Sequence, residues 1–125
     1  MSEDTDPRTD EEIWAERRQG ANDARHCIEV CLYTAEILFG RSADGPFDAD
    51  LVLALDDCAE INHLAEDYLL RGSENVEIAC SSASEICLAC ALICERIQDD
   101  EVLHECAEAC RDTMESLRRF GTVGA

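Results

Sequence analysis

Seven cysteines fall in three short motifs, Cys27-x3-Cys31, Cys87-x2-Cys90-x3-Cys94 and Cys106-x3-Cys110, and Cys58 and Cys80 bring the total to nine in 125 residues. Steps of three and four residues place side chains on one face of an α-helix, one turn above another. A soluble helix turns such a stripe towards its core. The spacing therefore predicts inward-facing thiols stacked as a ladder of soft donors. Sulfur ligands of this kind suit Cu(I), Zn²⁺ and iron–sulfur clusters. Cu(I) is satisfied by two or three sulfurs, so a single Cys-x3-Cys pair is a nearly complete site and stacked pairs permit bridging. For nine thiols the ligand count gives on the order of four to nine ions.

Other chemistries compete for the same residues. Cys90, Cys94, Cys106 and Cys110 come from consecutive helices at similar heights and make a candidate four-sulfur site for zinc or an iron–sulfur cluster. Buried cysteine is also a small hydrophobe, but Ala or Val would pack as well without the risk of oxidation. Glu60-x2-His63 and Glu101-x2-His104 match the Glu-x-x-His pairs of di-iron carboxylate bundles, which would make the chain a ferroxidase-like enzyme. At about 100° per residue, however, Glu60 and His63 lie roughly 200° and 140° from Cys58. Those pairs point outward when the thiols point inward, so the expectation is a binding protein rather than an enzyme. His26 flanks the stripe as a surface residue or a guide for metal. Met114 is core filler or a soft outer ligand. Trp14 and Ile13 would seal a bundle end or dock on a neighbour, and Asn62, in the stripe, needs a partner such as Thr34, Thr113 or water.

The elements that must carry these residues are helices. Residues 1–9 are acidic, contain Pro7 and read as disordered. Thr9 and Glu12 have capping-box spacing for a short helix over 10–20; Gly20 and Asn22 either interrupt it or restart it. A long helix from about Asn22 to Phe39 carries Ala24, Cys27, Cys31, Ala35 and Leu38, and Gly40–Pro46 reads as a loop. Asp48 caps a second helix to Leu70, with Leu51, Leu55, Cys58, Asn62, Ala65 and Leu69 inward. Gly72 fits a C-cap and Ser73 an N-cap. A third helix, Glu74 to about Gln98, carries Val76, Cys80, Ala83, Cys87, Cys90, Cys94 and Ile97. Asp99-Asp100 caps a fourth with Leu103, Cys106, Cys110, Thr113, Leu117 and Phe120, and Gly121 opens a tail over 121–125. Short connections make neighbours antiparallel, which predicts an all-α, up-down four-helix bundle over 22–120. Counting from the turns puts eight sulfurs in one column, Cys80 apart towards the Gly72 end, and a plug of Leu38, Leu51, Leu55 and Leu103 at the other end.

The charge of −19 comes from 29 acidic residues against ten arginines and no lysine. Such a surface excludes nucleic acid as a partner, since backbone binding needs clustered positive charge. It fits a salt-adapted, halophilic protein, because salt screens the self-repulsion; a GC-rich genome that replaces Lys with Arg is the competing explanation. No run of about 18 apolar residues stands out, so no membrane span is expected. The acidic start lacks the basic and apolar regions of a signal peptide. The cytoplasm is the expected compartment, where cysteines serve metals or redox chemistry rather than disulfides.

Several stretches together resemble the bacterial copper storage proteins. They are Cys27-Ile-Glu-Val-Cys31, Leu55-Asp-Asp-Cys58-Ala-Glu-Ile, Arg71-Gly-Ser-Glu74, Cys87-Leu-Ala-Cys90-Ala-Leu-Ile-Cys94 and Cys106-Ala-Glu-Ala-Cys110-Arg. The resemblance covers about residues 24–120. It implies a bundle core filled with Cu(I)-thiolate sites, assembly into tetramers of bundles, and Cys27, Cys31, Cys58, Cys80, Cys87, Cys90, Cys94, Cys106 and Cys110 as the ligands. Thr34, Leu38, Asn62, Thr113 and Leu117 stand where that family's pattern has further cysteines, which implies a smaller capacity.

Overall fold

The computed structural model describes residues 6–41 and 48–121, and within them the chain forms four helices. Most of the expected first loop, residues 1–5 of the N-terminus and 122–125 of the tail lie outside the described residues. Helix α1 runs unbroken from Asp10 to Arg41. Its start is the capping box read from Thr9 and Glu12: the Thr9 N–H donates to Glu12 Oε1 (2.8 Å) and the Glu12 N–H to Thr9 Oγ1 (3.1 Å). The separate helix over 10–20 does not occur. Gly20 does not end a helix but admits a neighbour: a Cβ there would meet Phe120 at 2.7 Å and Leu69 at 3.3 Å. Close packing against the ring, rather than backbone freedom, accounts for the glycine.

Helix α2 spans Ala49–Arg71, opened by the Asp48 carboxylate accepting from the Leu51 N–H and closed by Gly72 at φ 65°. The left-handed conformation favours glycine, and Trp14 with Arg17 packs over this turn: a Cβ on Gly72 would meet Arg17 Nη1 at 2.8 Å and Trp14 at 3.3 Å. Trp14 lies against this turn but stays 39% exposed. Helix α3 is shorter than expected, Val76–Glu95. Ser73 does not cap it; its hydroxyl accepts from the Asn75 N–H (3.0 Å) in the preceding turn. At the other end Asp99 turns left-handed (φ 59°). Ile97, two residues past the end of the helix, is exposed rather than in the stripe. Asp100 opens α4, Glu101–Arg118, by accepting from the Leu103 N–H (3.2 Å).

α1 packs on α2 and α4, and α3 packs on α2 and α4, so the helices stand at the corners of a square. Bidentate pairs Arg25–Glu66 and Arg111–Glu95 tie α1 to α2 and α4 to α3, and Arg41 reaches Asp100 across the top (2.7 Å). Exposed pairs of this sort contribute about 0–1 kcal/mol each. Stability comes from the interior, which divides in two. One cluster holds eight cysteines with Ile28, Leu51, Leu55, Leu103 and Met114, with Leu38 packed against it. The other holds Ala21, Ala24, Ala65, Leu69, Val76, Cys80, Ala83 and Leu117. Against expectation, α3 is long and apolar enough to cross a membrane by length and composition. Less than half of that stretch is buried: its Ala and Cys face the other helices, while Ile78 and Leu92 are exposed.

Buried Leu51, Leu55, Leu69, Leu103 and Leu117 each contribute about 1.5–3 kcal/mol, so folding does not wait for a metal. Circular dichroism of the reduced protein with chelator present should be strongly helical, and a coil spectrum that turns helical only with metal would refute this. Gly72→Ala should cost about 1–2 kcal/mol through its left-handed backbone, read as a lower denaturation midpoint.

Candidate metal centre

Every cysteine points inward: all nine are free thiols with no more than 1% of their surface exposed. Helix phase explains this, since Cys27 and Cys31 on α1, Cys87, Cys90 and Cys94 on α3, and Cys106 and Cys110 on α4 share the buried faces with their alanines and leucines. Eight of them sit in one contiguous cluster, whereas Cys80 lies in the other, as the count from the turns anticipated. The leucine plug at the far end is likewise in place.

Within the column Cys110 is a hub. Its sulfur lies 3.9 Å from those of Cys31 and Cys58 and 4.0 Å from that of Cys27; Cys27–Cys58 is 3.9 Å and Cys58–Cys87 3.8 Å. Cys27, Cys31, Cys58 and Cys110 have sulfurs all within 4.8 Å of one another. The compact quartet thus joins three helices and differs from the two-helix set Cys90, Cys94, Cys106 and Cys110 anticipated for a four-sulfur site. Cys106 interacts with Cys31, Cys90, Cys94 and Cys110 and carries the column on towards Cys94. At the α3–α4 turn Cys94 lines a surface hollow of about 720 Å³ with Asp99, Asp100 and His104.

Packing thiols this closely divides their protons unevenly. A sulfur that accepts S–H bonds is stabilised as thiolate; one that donates holds its proton. Cys27 is driven below the ordinary thiol range, first by Cys110, and Cys90 likewise, first by Cys106. Cys106 falls to about 4, with the bond from Cys110 as the main cause. Cys31, Cys94 and Cys110 go up, each first through its contact with Cys106, and Cys87 goes up first through Cys27.

Polar side chains share the same inward stripes. Thr34 and Thr113 donate to backbone carbonyls, of Val30 (2.7 Å) and Asp23 (3.4 Å). Neither is the partner of Asn62. The Asn62 amide nitrogen donates to the Cys58 carbonyl (2.8 Å) and faces the sulfurs of Cys87 (3.3 Å), Cys58 (3.5 Å) and Cys27 (3.8 Å). Its Oδ1 is buried without a partner, which costs about 1–3 kcal/mol. Sequence reading placed Asn62 in the stripe but assigned it no contact with sulfur; one turn from Cys58 on the same face was the available signal.

The Glu-x-x-His residues lie outside the bundle: Glu60, His63, Glu101 and His104 are all exposed, as is His26. His63 and His104 approach Glu66 and Glu108 on their own helices (3.9 Å each). Met114 is buried beside the column, with the Arg118 guanidinium 3.5 Å from its sulfur.

A square helical bundle whose interior is lined by free thiols defines a class of soft-metal-binding bundles. The copper storage protein family profile matches residues 14–121, and the chain belongs to that family. A crystal structure of a protein from Nitrosospira multiformis is similar at 28% identity, with TM-score 0.73, over 85% of this chain and 94% of that one. The Cu(I)-bound copper storage protein BsCsp3 has the same fold, at 22% identity and TM-score 0.56, over 80% of this chain and 99% of that one. No curated protein matches the sequence significantly.

Cys80, away from the other sulfurs, is governed by burial alone, which pushes its pKa from 9.0 up to about 11. A raised pKa means that the folded state holds the proton more tightly. The resulting stability is complete below the unfolded value and is lost as pH rises through the folded one. The thermal stability of reduced, metal-free protein should therefore fall from about pH 9 to pH 11, and that of Cys80→Ala should decline less steeply over that interval. Parallel profiles would contradict the assignment.

Proposed function

We propose that this protein binds and stores Cu(I) in the cytoplasm, with Cys27, Cys31, Cys58, Cys87, Cys90, Cys94, Cys106 and Cys110 as the shared ligands and Cys80 as a peripheral one. The observation that carries this reading is the uninterrupted run of eight buried sulfurs. Charge decides the metal. Exchanging a thiol proton for a monovalent ion leaves the buried charge unchanged, so a column loaded towards one Cu(I) per thiol stays near neutral. Zn²⁺ on four thiolates leaves two uncompensated negative charges, which a low-dielectric interior tolerates only with many donors. Asn62 is the amide donor that reaches these sulfurs among the described residues. No catalytic step is assigned, and the acidic exterior suits a salt-rich interior of a halophilic cell.

A zinc site is the second reading, and one observation favours it. Zn–S bonds of about 2.3 Å place the sulfurs of a tetrahedron about 3.8 Å apart, close to the spacings among Cys27, Cys31, Cys58 and Cys110. It leaves Cys80, Cys87, Cys90, Cys94 and Cys106 without a role.

Anaerobic titration with Cu(I) and with Zn²⁺, followed by gel filtration and elemental analysis, separates the two. The expected result is roughly four to nine Cu(I) per chain with sulfur-only coordination in X-ray absorption. Uptake below two Cu(I), or oxygen or nitrogen ligands, would refute the storage reading, and one tightly held Zn²⁺ that Cu(I) does not displace would favour the alternative. Cys110→Ala removes a sulfur with three close sulfur neighbours and should lower Cu(I) capacity by more than one ion, whereas Cys80→Ala should remove at most one.

A further inference from the structure

Asn62 is fully buried in the middle of α2, yet it is neither apolar nor a thiol. Its orientation is fixed by the backbone. The amide nitrogen lies 2.8 Å from the carbonyl oxygen of Cys58, so exchanging Nδ2 and Oδ1 would set two oxygens against each other. One amide hydrogen serves that carbonyl, and the other is left among the sulfurs of Cys87, Cys58 and Cys27 at 3.3, 3.5 and 3.8 Å. These three come from α3, α2 and α1, so the amide closes one layer of the column from below. Beyond it the interior changes to Ala65, Ala83, Leu69 and Leu117, with Cys80 among them. Without metal these sulfurs pair with one another, Cys27 with Cys58 and Cys58 with Cys87, and give this N–H little. Metal-bound thiolates carry negative charge, and hydrogen bonds to charged acceptors are roughly twice as strong as neutral ones. The unpartnered Oδ1 fits the same account, since a side chain chosen for packing would leave no orphaned carbonyl in an apolar wall.

We propose that Asn62 is a positioning residue for the cargo: its amide nitrogen hydrogen-bonds the metal-bound sulfurs of Cys27, Cys58 and Cys87 and makes that layer the tightest and first filled. The inference rests on the Cu(I) reading above. Charge explains why order of filling follows. When few ions are bound, each is held by two or three thiolates and the local charge is negative. The first ions therefore settle where a fixed donor already faces the sulfurs, and later ions, by bridging, bring the column back towards neutrality without needing one.

Asn62→Leu conserves size and removes the donor. In anaerobic competition against a chromophoric Cu(I) chelator, the first equivalents should bind roughly ten- to a hundredfold more weakly, the range for loss of a hydrogen bond to a metal ligand. Total capacity should be unchanged. The metal-free Asn62→Leu variant should denature no earlier than its parent, because the orphaned carbonyl is gone. A purely structural role predicts instead earlier denaturation and loss of capacity, and that result would overturn the proposal, as would unchanged affinity for the first equivalents. A second measurement needs no variant. The other side-chain amides, Gln19, Asn22, Asn75 and Gln98, are all exposed. With one equivalent of Cu(I), the side-chain amide NMR signal of Asn62 should shift while theirs stay in place; an unmoved Asn62 signal overturns the proposal. Failure of the parent to take up Cu(I) at all would defeat the storage reading itself, whereas normal uptake with the Asn62→Leu variant indistinguishable from its parent defeats only this inference.

Discussion

A buried thiol ionises at high cost unless a neighbouring S–H donates to it or a cation takes the place of its proton, and the rest of this molecule is organised around that constraint. Sulfur is soft enough to pack as a hydrophobe while protonated, so the same residues build the core of the empty bundle and become donors when a soft cation arrives. Spacings of 3.8–4.0 Å between neighbouring sulfurs are those of ordinary non-bonded contact. The column needs no cavity to exist; it is core and ligand set in one. The four helices, their caps and their short turns serve to hold side chains from four directions at matching heights.

The exterior follows a different logic from the interior. With −19 formal charges and ten arginines, repulsion acts on the surface at every distance shorter than the screening length. The arginines sit where they do most: Arg25, Arg111 and Arg41 each bridge two helices through Glu66, Glu95 and Asp100. Salt weakens these pairs and the repulsion together, and with 29 acidic residues against ten arginines the screened repulsion is the larger effect. The thiol column, shielded by a wall of helix, is insulated from both.

Much of this was legible from residue spacing because helix phase is a local property. Asp48, Gly72 and Asp100 marked their boundaries correctly through side-chain or backbone chemistry that acts within four residues. The inward stripes followed from the same periodicity, and counting from the turns separated Cys80 from the other eight sulfurs. Errors arose where distant residues decide. Gly20 read as an interruption because its reason, the ring of Phe120, comes from the far end of the chain. Ile97 continued the stripe of α3 in sequence, but the helix had already ended at Glu95. The compact sulfur quartet draws on α1, α2 and α4, because sequence spacing gives a thiol's height along its helix and not how far it leans across the bundle.

The positions where cysteine is absent shape the store as much as those where it is present. Thr113 and Leu117 continue the stripe of Cys106 and Cys110 on α4, and Asn62, Ala65 and Leu69 continue that of Cys58 on α2. Beyond the level of Asn62 the interior is an apolar cluster around Leu69, Leu117 and Val76. That half supplies stability independent of loading, so the other half can exchange protons for ions without risking the fold. A bundle lined with thiols from end to end would hold more metal but would have less fixed packing to keep its helices in register when empty. Capacity and metal-free stability are thus opposed along the same four stripes, and this chain divides them at the level of Asn62.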